Sequence, residues 1–393
     1  MDVARVLPSI SMILIVLLGI SYWIKPGGVE LSAHSLPFYL LTLSFLVLLP
    51  SILYSNNTDY LFQKLQIAIP YLVLPLAILK IPKLSKRSYL QIYGLYFLGI
   101  LLICLFAFGN YLLNQEIINQ LYLESKVMPT LVSHHPTLSL MIVFATYVAY
   151  NLFQKEEVIF LKKEKIIFFL GGIFLFIFMH VFSVRSGLLA LYVILFLEIF
   201  RIAFHKKQFK QAIFAGLIIV LIGGITMFLS PTVSNKITNT TQDLSNYKNK
   251  GSANNQSLSS RLISYKNAFR IAQETSIWIG CGLGDIDDLN QEIFAKDYPD
   301  VSKPIDPHNQ YLFYYAAIGI LGLGIFLAGF YFPLLYKNAF QNRLLFVHYG
   351  IISIGFLFEA PMASQLGVAY SAIFILLPLQ YLFGKDAVEA DRI

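Results

Sequence analysis

The chain has 393 residues, of which 57% are hydrophobic and only 13% are charged. Soluble globular domains carry about a quarter charged residues, so this composition excludes a soluble enzyme, a disordered chain and a nucleic-acid-binding module. The sequence therefore predicts a polytopic membrane protein. Its net charge of +7 then bears on orientation in the membrane rather than on nucleic-acid binding.

Apolar segments bounded by charges or turn residues predict an all-α protein with about eleven (10 to 12) transmembrane helices. We expect the first segment to be a helix of the fold rather than a signal peptide, because no small-residue cleavage site follows it. The predicted spans lie at about residues 7–24, 36–54, 65–79, 89–112, 136–153, 166–184, 187–204, 212–229, 309–335, 344–358 and 365–383.

The Lys and Arg residues of the short connections predict the orientation of these helices. Seventeen of them fall on one side, whereas the short connections of the other side hold only Arg5, Lys64, Lys126 and Arg185. Because Lys and Arg are enriched in cytoplasmic loops, the C-terminus is expected in the cytoplasm. The long polar segment 230–307 is expected on the opposite, external face of the membrane.

This charge and hydropathy pattern divides the chain into three predicted regions. Residues 1–229 form the N-terminal transmembrane region with about eight spans. Residues 230–308 form a large external loop that contains short helices; its polar stretch from Ser234 to Ser257 is expected to be mobile. Residues 309–393 form the C-terminal region with about three spans and a short cytoplasmic tail.

Two arginines on the external side are candidates for anion binding. Arg185 lies in a tight turn before Ser186 and Gly187, where backbone N–H groups of the next helix can approach a phosphate; a snorkelling interfacial arginine is the alternative. Arg261 is expected in the first turn of a loop helix, with Ser259 or Ser260 as its N-cap. A bound anion would compensate a cation at that position, although a solvated arginine is the alternative.

His308 precedes a 25-residue apolar helix at the predicted outer interface. A helix N-terminus disfavours the protonated imidazole, so His308 is expected to be neutral near pH 7 and able to accept a proton. A capping or interfacial histidine is the alternative. Glu359, at the end of the tenth span, is expected to face the same compartment.

Two further clusters were considered as metal ligands. His134 and His135 are adjacent and would point apart on an extended segment, so a role in substrate lining or structure is favoured. Asp285 and Asp287 follow a glycine-rich stretch and could hold a divalent cation against a diphosphate. The glycines themselves predict a flexible turn rather than a nucleotide-binding motif. We expect no metal and no other cofactor.

Several short motifs together resemble the bacterial O-antigen ligase and O-antigen polymerase superfamily. The resemblance covers about residues 130–385 and depends on the order, spacing and side of the motifs. They are His135-Pro136-Thr137, Ser183 to Gly187, Ser260-Arg261 with Tyr265 and Ala268, Trp278 to Gly284, His308 to Leu312 with Gly319 to Gly322, and Glu359 with Gln365 to Gly367. Tyr265 departs from the pattern, because many relatives carry Trp there.

The resemblance implies a membrane glycosyltransferase of the GT-C-like type that uses a glycan on undecaprenyl diphosphate as donor. It implies that Arg185 and Arg261 hold the diphosphate and that His308 is the catalytic base. The remaining candidates are expected to line the substrate site: His135, Ser186, Tyr265, Asn309 and Glu359.

The reaction that the resemblance favours is the inverting, metal-independent transfer of O-antigen onto lipid A–core, on the periplasmic face of a bacterial inner membrane. An O-antigen or exopolysaccharide polymerase, or a protein O-oligosaccharyltransferase of the same superfamily, would use the same chemistry with a growing glycan or a protein as acceptor. A lipid-linked sugar flippase is the non-enzymatic alternative. A transporter would show ionisable groups at the bilayer midplane and paired broken helices, whereas Arg185, Arg261, His308 and Glu359 are predicted on one face.

Overall fold

The computed structural model describes residues 3–24, 33–123, 126–161, 163–205, 207–229, 257–299 and 305–384. Within these ranges the regular structure is helical and contains no β-strand. Most of the predicted mobile stretch Ser234–Ser257 lies outside them. Eight helical segments are long and apolar enough to cross a membrane, and there are three shorter apolar helices, Pro8–Trp23, Phe209–Leu221 and Arg343–Phe358. Each predicted span overlaps one of these segments, which confirms an all-α polytopic membrane protein.

The α-helices are numbered in chain order. They are α1 (Val3–Trp23), α2 (Leu36–Leu41), α3 (Leu43–Leu46), α4 (Thr58–Ala68), α5 (Pro70–Lys80), α6 (Lys86–Leu113), α7 (Gln115–Leu123), α8 (His135–Phe153), α9 (Glu164–Phe182), α10 (Arg185–Phe200), α11 (Phe209–Leu229), α12 (Ser257–Glu274), α13 (Ile286–Asp297), α14 (Gln310–Leu335), α15 (Arg343–Phe358) and α16 (Gln365–Phe383).

The chain divides into two compact units. The first comprises residues 1–89, 260–349 and 356–393; in it α1 packs on α5 and α16, and α14 packs on α2 and α3. The second comprises residues 90–259 and 350–355; in it α8 packs on α9 and α10. The division into N-terminal, loop and C-terminal regions describes position relative to the membrane, and it stays a prediction.

Helix α14 is broken at Gly319, where the sequence predicted one continuous span. Gly319 has φ 67° and ψ −176°, a backbone conformation that residues with a Cβ rarely adopt. The hydroxyls of Tyr311 and Tyr331 lie 2.8 Å apart across the break. In a straight helix 20 residues span about 30 Å, so residues 310–318 must turn sharply relative to residues 320–335.

The glycine-rich segment of the long loop supplies the hydrogen bonds that this break removes. Beyond Gly319, the N–H groups of Ile320 and Leu321 donate to the carbonyls of Ile277 and Trp278 at 2.8 and 3.2 Å. Before it, the carbonyls of Ala316 and Ala317 accept from the N–H groups of residues 281 and 282, each at 2.9 Å. The segment predicted as a flexible turn is thus part of the helix packing, because backbone groups left unpaired in a buried position are costly.

A carboxylate ties the same loop to the start of α4. The side chain of Asp285 accepts hydrogen bonds of 2.8 Å from the backbone N–H groups of both Asn56 and Asn57. Asn57 in turn is the N-cap of α4 and accepts from the N–H of Tyr60 at 3.0 Å. These contacts fix the loop helices α12 and α13 against the transmembrane helices of the first unit.

Candidate functional site

Arg261 lies on α12, in the second turn of the helix rather than the first. The helix begins at Ser257, so Ser259 and Ser260 are inside it and neither is the predicted N-cap. The helix starts earlier than expected because the polar run before Arg261 continues the helical pattern instead of ending it. The Arg261 side chain is mostly buried, with 19% of its surface exposed.

Glu359 joins Arg261 to His308. Its side chain is 5% exposed; one carboxylate oxygen lies 2.5 Å from Nη2 of Arg261 and the other lies 3.1 Å from Nδ1 of His308. The three residues come from α12, from the segment before α14 and from the turn after α15. A carboxylate this buried requires partners, so Glu359 holds an arginine and a histidine at fixed positions beside each other.

The contact with Glu359 determines which nitrogen of His308 is available for chemistry. When Nδ1–H donates to the carboxylate, Nε2 carries the lone pair and can accept a proton. The His308 side chain is 38% exposed, so this nitrogen can reach a ligand. That tautomer would suit the predicted role of His308 as a proton acceptor.

Side-chain hydrogen bonds to backbone carbonyls hold the segment of His308 against the end of α15. The hydroxyl of Tyr265, one turn beyond Arg261 on α12, lies 2.9 Å from the carbonyl oxygen of His308 and 3.0 Å from that of Leu357. Burial raises the pKa of the Tyr265 phenol, so it remains a hydrogen-bond donor. The Asn309 amide donates to the carbonyl of Leu357 at 3.0 Å, while its oxygen caps α14. Tyr265 and Asn309, predicted to line the substrate site, here fix the position of the imidazole.

Three predicted site residues lie in the second unit, at adjoining helix ends. Arg185 is the first residue of α10, after a two-residue turn in which the backbone of Ser183 is left-handed (φ 51°, ψ 34°). Helix α10 therefore starts two residues earlier than predicted, and the N–H groups of its first turn belong to Arg185, Ser186 and Gly187. The Ser186 side chain is buried.

His135 is the first residue of α8, and His134 is the N-cap of that helix. The ring of His135 makes an edge contact with the ring of Phe182, with the centroids 5.9 Å apart. The start of α8 thus lies beside the turn between α9 and α10. The Nδ1 atom of His134 accepts from the N–H of Thr137 at 3.4 Å, whereas the ring of His135 contacts Phe182.

The acidic cluster of the loop is used in hydrogen bonding. Both oxygens of Asp285 accept from the segment of Asn56 and Asn57. Burial and the neighbouring Asp306 raise the pKa of the Asp287 carboxyl. No group of three or more His, Cys, Asp or Glu side chains that could hold a metal ion occurs in the described parts of the chain.

Sequence reasoning selected Glu359 as a candidate site residue but did not predict that it joins Arg261 to His308. It also missed Gln310, which is fully buried and whose side-chain oxygen accepts from the N–H of Met362 at 2.9 Å. One sequence signal could have found both residues. Each is polar and lies at the end of an otherwise apolar helix, where burial without a partner is costly.

One family of known proteins matches part of the chain. Residues 167–327 match a family model described as O-antigen ligase. The match includes Arg185, Arg261 and His308 and ends before Glu359. No curated protein matches the chain. Residues 167–327 are therefore similar to an O-antigen ligase domain, which supports a relation of this region to the bacterial O-antigen ligase and polymerase superfamily.

Proposed function

We propose that the protein transfers a glycan from undecaprenyl diphosphate to a hydroxyl of lipid A–core, as an O-antigen ligase on the periplasmic face of the inner membrane. The observation that supports this proposal is the pairing of one buried carboxylate, Glu359, with both Arg261 and His308. The pairing places a cation suited to a diphosphate next to a group that can take a proton from an acceptor hydroxyl.

The proposed reaction is a single displacement at the anomeric carbon. The acceptor hydroxyl gives its proton to Nε2 of His308 while its oxygen forms the new bond to the anomeric carbon. The bond from that carbon to the diphosphate oxygen breaks, and its electron pair leaves with the undecaprenyl diphosphate. One displacement inverts the anomeric configuration. Base catalysis of this kind contributes about 10²–10⁴-fold to the rate.

The charge that develops on the leaving diphosphate needs stabilisation. Glu359 occupies one terminal nitrogen of Arg261, and a guanidinium carries five N–H donors in all, so further donors remain for phosphate oxygens. The buried carboxylate fixes the plane of the guanidinium before substrate binds, which lowers the entropic cost of the contact. This chemistry needs neither a metal ion nor a nucleotide.

Arg185 is proposed as a second ligand of the diphosphate. This proposal depends on its position at the N-terminus of α10, where backbone N–H groups and the helix dipole favour an anion. Arg185→Lys keeps the charge but loses the bidentate geometry, and Arg185→Gln loses both. If Arg185 binds the diphosphate, both variants should weaken donor binding, the glutamine variant more.

Transfer should be measured in proteoliposomes that contain the purified protein, a lipid-diphosphate-linked glycan and a lipid A–core acceptor. The expected products are a glycosylated acceptor of inverted anomeric configuration and free undecaprenyl diphosphate, with rates unchanged by a chelator. Consumption of donor without a glycosylated acceptor would contradict the proposal. Movement of intact donor across the bilayer would also contradict it, and would favour a flippase.

A deletion strain separates the ligase from its relatives. Loss of a ligase leaves lipopolysaccharide with bare core while long glycan accumulates on the carrier lipid. Loss of a polymerase leaves core that bears single units, and loss of a protein O-oligosaccharyltransferase leaves the lipopolysaccharide bands unchanged. The first gel pattern is the one expected here.

A further inference from the structure

The loop tip Ile277–Ile279 carries three large apolar side chains on the protein surface. The exposed fractions of Ile277, Trp278 and Ile279 are 47%, 64% and 49%. The tip belongs to the segment predicted to be a water-exposed loop, where such side chains are unfavourable. An exposed apolar patch marks an interaction site.

Backbone hydrogen bonding at the tip fits an apolar environment. The carbonyls of Ile277 and Trp278 accept from the N–H groups of Ile320 and Leu321 beyond the break in α14, and the carbonyl of Ile279 accepts from the hydroxyl of Tyr54 at 2.9 Å. All three carbonyls of the tip are therefore satisfied within the protein. Irregular backbone is tolerated at membrane depth only when its polar groups are satisfied in this way.

The position of the tip along α14 indicates its depth. Residues 320–335 follow the break at Gly319 and precede Lys337, the first charged residue at the far end of the helix. These 16 residues span about 24 Å at 1.5 Å per residue, which is less than the roughly 30 Å of a bilayer hydrocarbon core. The rest of the hydrocarbon core therefore lies at the level of Gly319, where the tip binds the backbone of α14.

Neighbouring side chains extend the same apolar surface. Ile320 and Leu321, which bind the backbone of the tip, are 45% and 54% exposed. Leu53, next to the tyrosine that binds Ile279, ends the apolar segment Leu36–Leu53 and is 88% exposed. The patch is thus continuous with two membrane-spanning segments, and this continuity identifies lipid as what covers it.

We propose that the tip Ile277–Ile279 inserts among the acyl chains of the adjacent bilayer leaflet and anchors the long polar loop to the membrane. Trp278 lies at the polar–apolar boundary, the depth that tryptophan prefers. The tip has no role in the proposed chemistry, so the anchor can be tested without a transfer assay.

The experiment uses the fluorescence of Trp278 in the full-length protein. The chain has two tryptophans, so Trp23→Phe leaves Trp278 as the only one. The variant is reconstituted into phosphatidylcholine vesicles, with or without bromine on the acyl chains, and aqueous iodide is added separately. A matched control is the triple variant W23F/W278F/E292W, which puts the only tryptophan at an exposed position on α13, in the same loop.

We expect brominated lipid to quench Trp278 strongly and iodide to quench it weakly, with the opposite result for the control. Iodide quenching equal to that of the control would contradict the proposal. So would Trp278 fluorescence that neither quencher reduces, since that result would place the tip against protein, for instance a second copy of the chain. Thermal unfolding of each variant in detergent verifies that the protein measured is folded.

Discussion

One carboxylate oxygen of Glu359 lies 3.1 Å from Nδ1 of His308, while the other lies 2.5 Å from Nη2 of Arg261. A buried acid therefore connects the proposed proton acceptor to the proposed diphosphate ligand. In this arrangement Glu359 is a positioning residue, since it acts through the two side chains that it holds.

Replacing Glu359 should lower the transfer rate even when the protein remains folded. Glu359→Gln keeps the shape of the side chain but removes the charge that orients the imidazole. Loss of an orienting carboxylate can lower the rate by up to about 10⁴-fold. The transfer rate and the melting temperature of E359Q should be measured together; a normal rate would contradict the positioning role.

A double variant separates charge pairing from diphosphate binding. Removing one partner of a buried ion pair costs about 3–5 kcal/mol, so E359A and R261A should each be destabilised. R261Q/E359Q leaves no unpaired charge and should regain most of that stability, as measured by thermal unfolding. If Arg261 binds the diphosphate, the double variant should also lose donor binding, measured separately from transfer; donor binding retained along with stability would mean that the arginine only pairs with Glu359.

Gly319→Ala should destabilise the first unit. The backbone at Gly319 has a positive φ, and an added Cβ would collide with the backbone of Trp278. Strain of this kind costs about 1–3 kcal/mol, and the docked loop segment would have to move as well. Gly324→Ala on the same helix is the control, because its Cβ would meet no atom within 4 Å. Equal melting temperatures for the two variants would contradict the described break.

Asp285→Ala should lower stability through the lost contacts with Asn56 and Asn57. A side chain that accepts hydrogen bonds from backbone N–H groups near a helix start contributes about 0.5–2 kcal/mol. Glu292→Ala, at an exposed position on α13, should leave the melting temperature unchanged. A chelator that abolished transfer by the wild-type protein would instead favour a metal at the acidic cluster.

Cys281 should report on the docking of the glycine-rich segment. Burial, and to a smaller extent Asp285, raise the pKa of its thiol from the ordinary 9.0 to about 12, which lowers the thiolate population near pH 8 roughly a thousandfold. Since the raised pKa belongs to the folded state, its contribution to stability is complete below pH 9 and is lost as the pH rises toward about 12.

In a Cys104→Ala background, where Cys281 is the only thiol, alkylation at pH 8 should be slow in the folded protein. It should become fast in denaturant and faster in the G319A variant than in the G324A variant. Rapid alkylation of the folded protein would show that the segment is not docked.

The sequence predicted the transmembrane segments because hydrophobic runs of span length are a direct consequence of the bilayer. It could not predict the break at Gly319, because the hydrogen bonds that make the break tolerable come from Ile277 and Trp278, about 40 residues away in the sequence. Arg261 and His308 were found as unusual polar residues at helix ends. Their link through Glu359 was not found, because it depends on how three distant segments pack. Ser259 and Ser260 misled the placement of a helix start, since serine in a polar run is compatible with both a cap and a helix interior.

The transfer rate of His308→Ala in proteoliposomes, with lipid-diphosphate-linked glycan as donor, tests the central claim most directly. The account predicts a loss of about 10²–10⁴-fold with donor binding retained, because Arg261 keeps its place on Glu359. Transfer at the wild-type rate would contradict the assignment of His308 as the base.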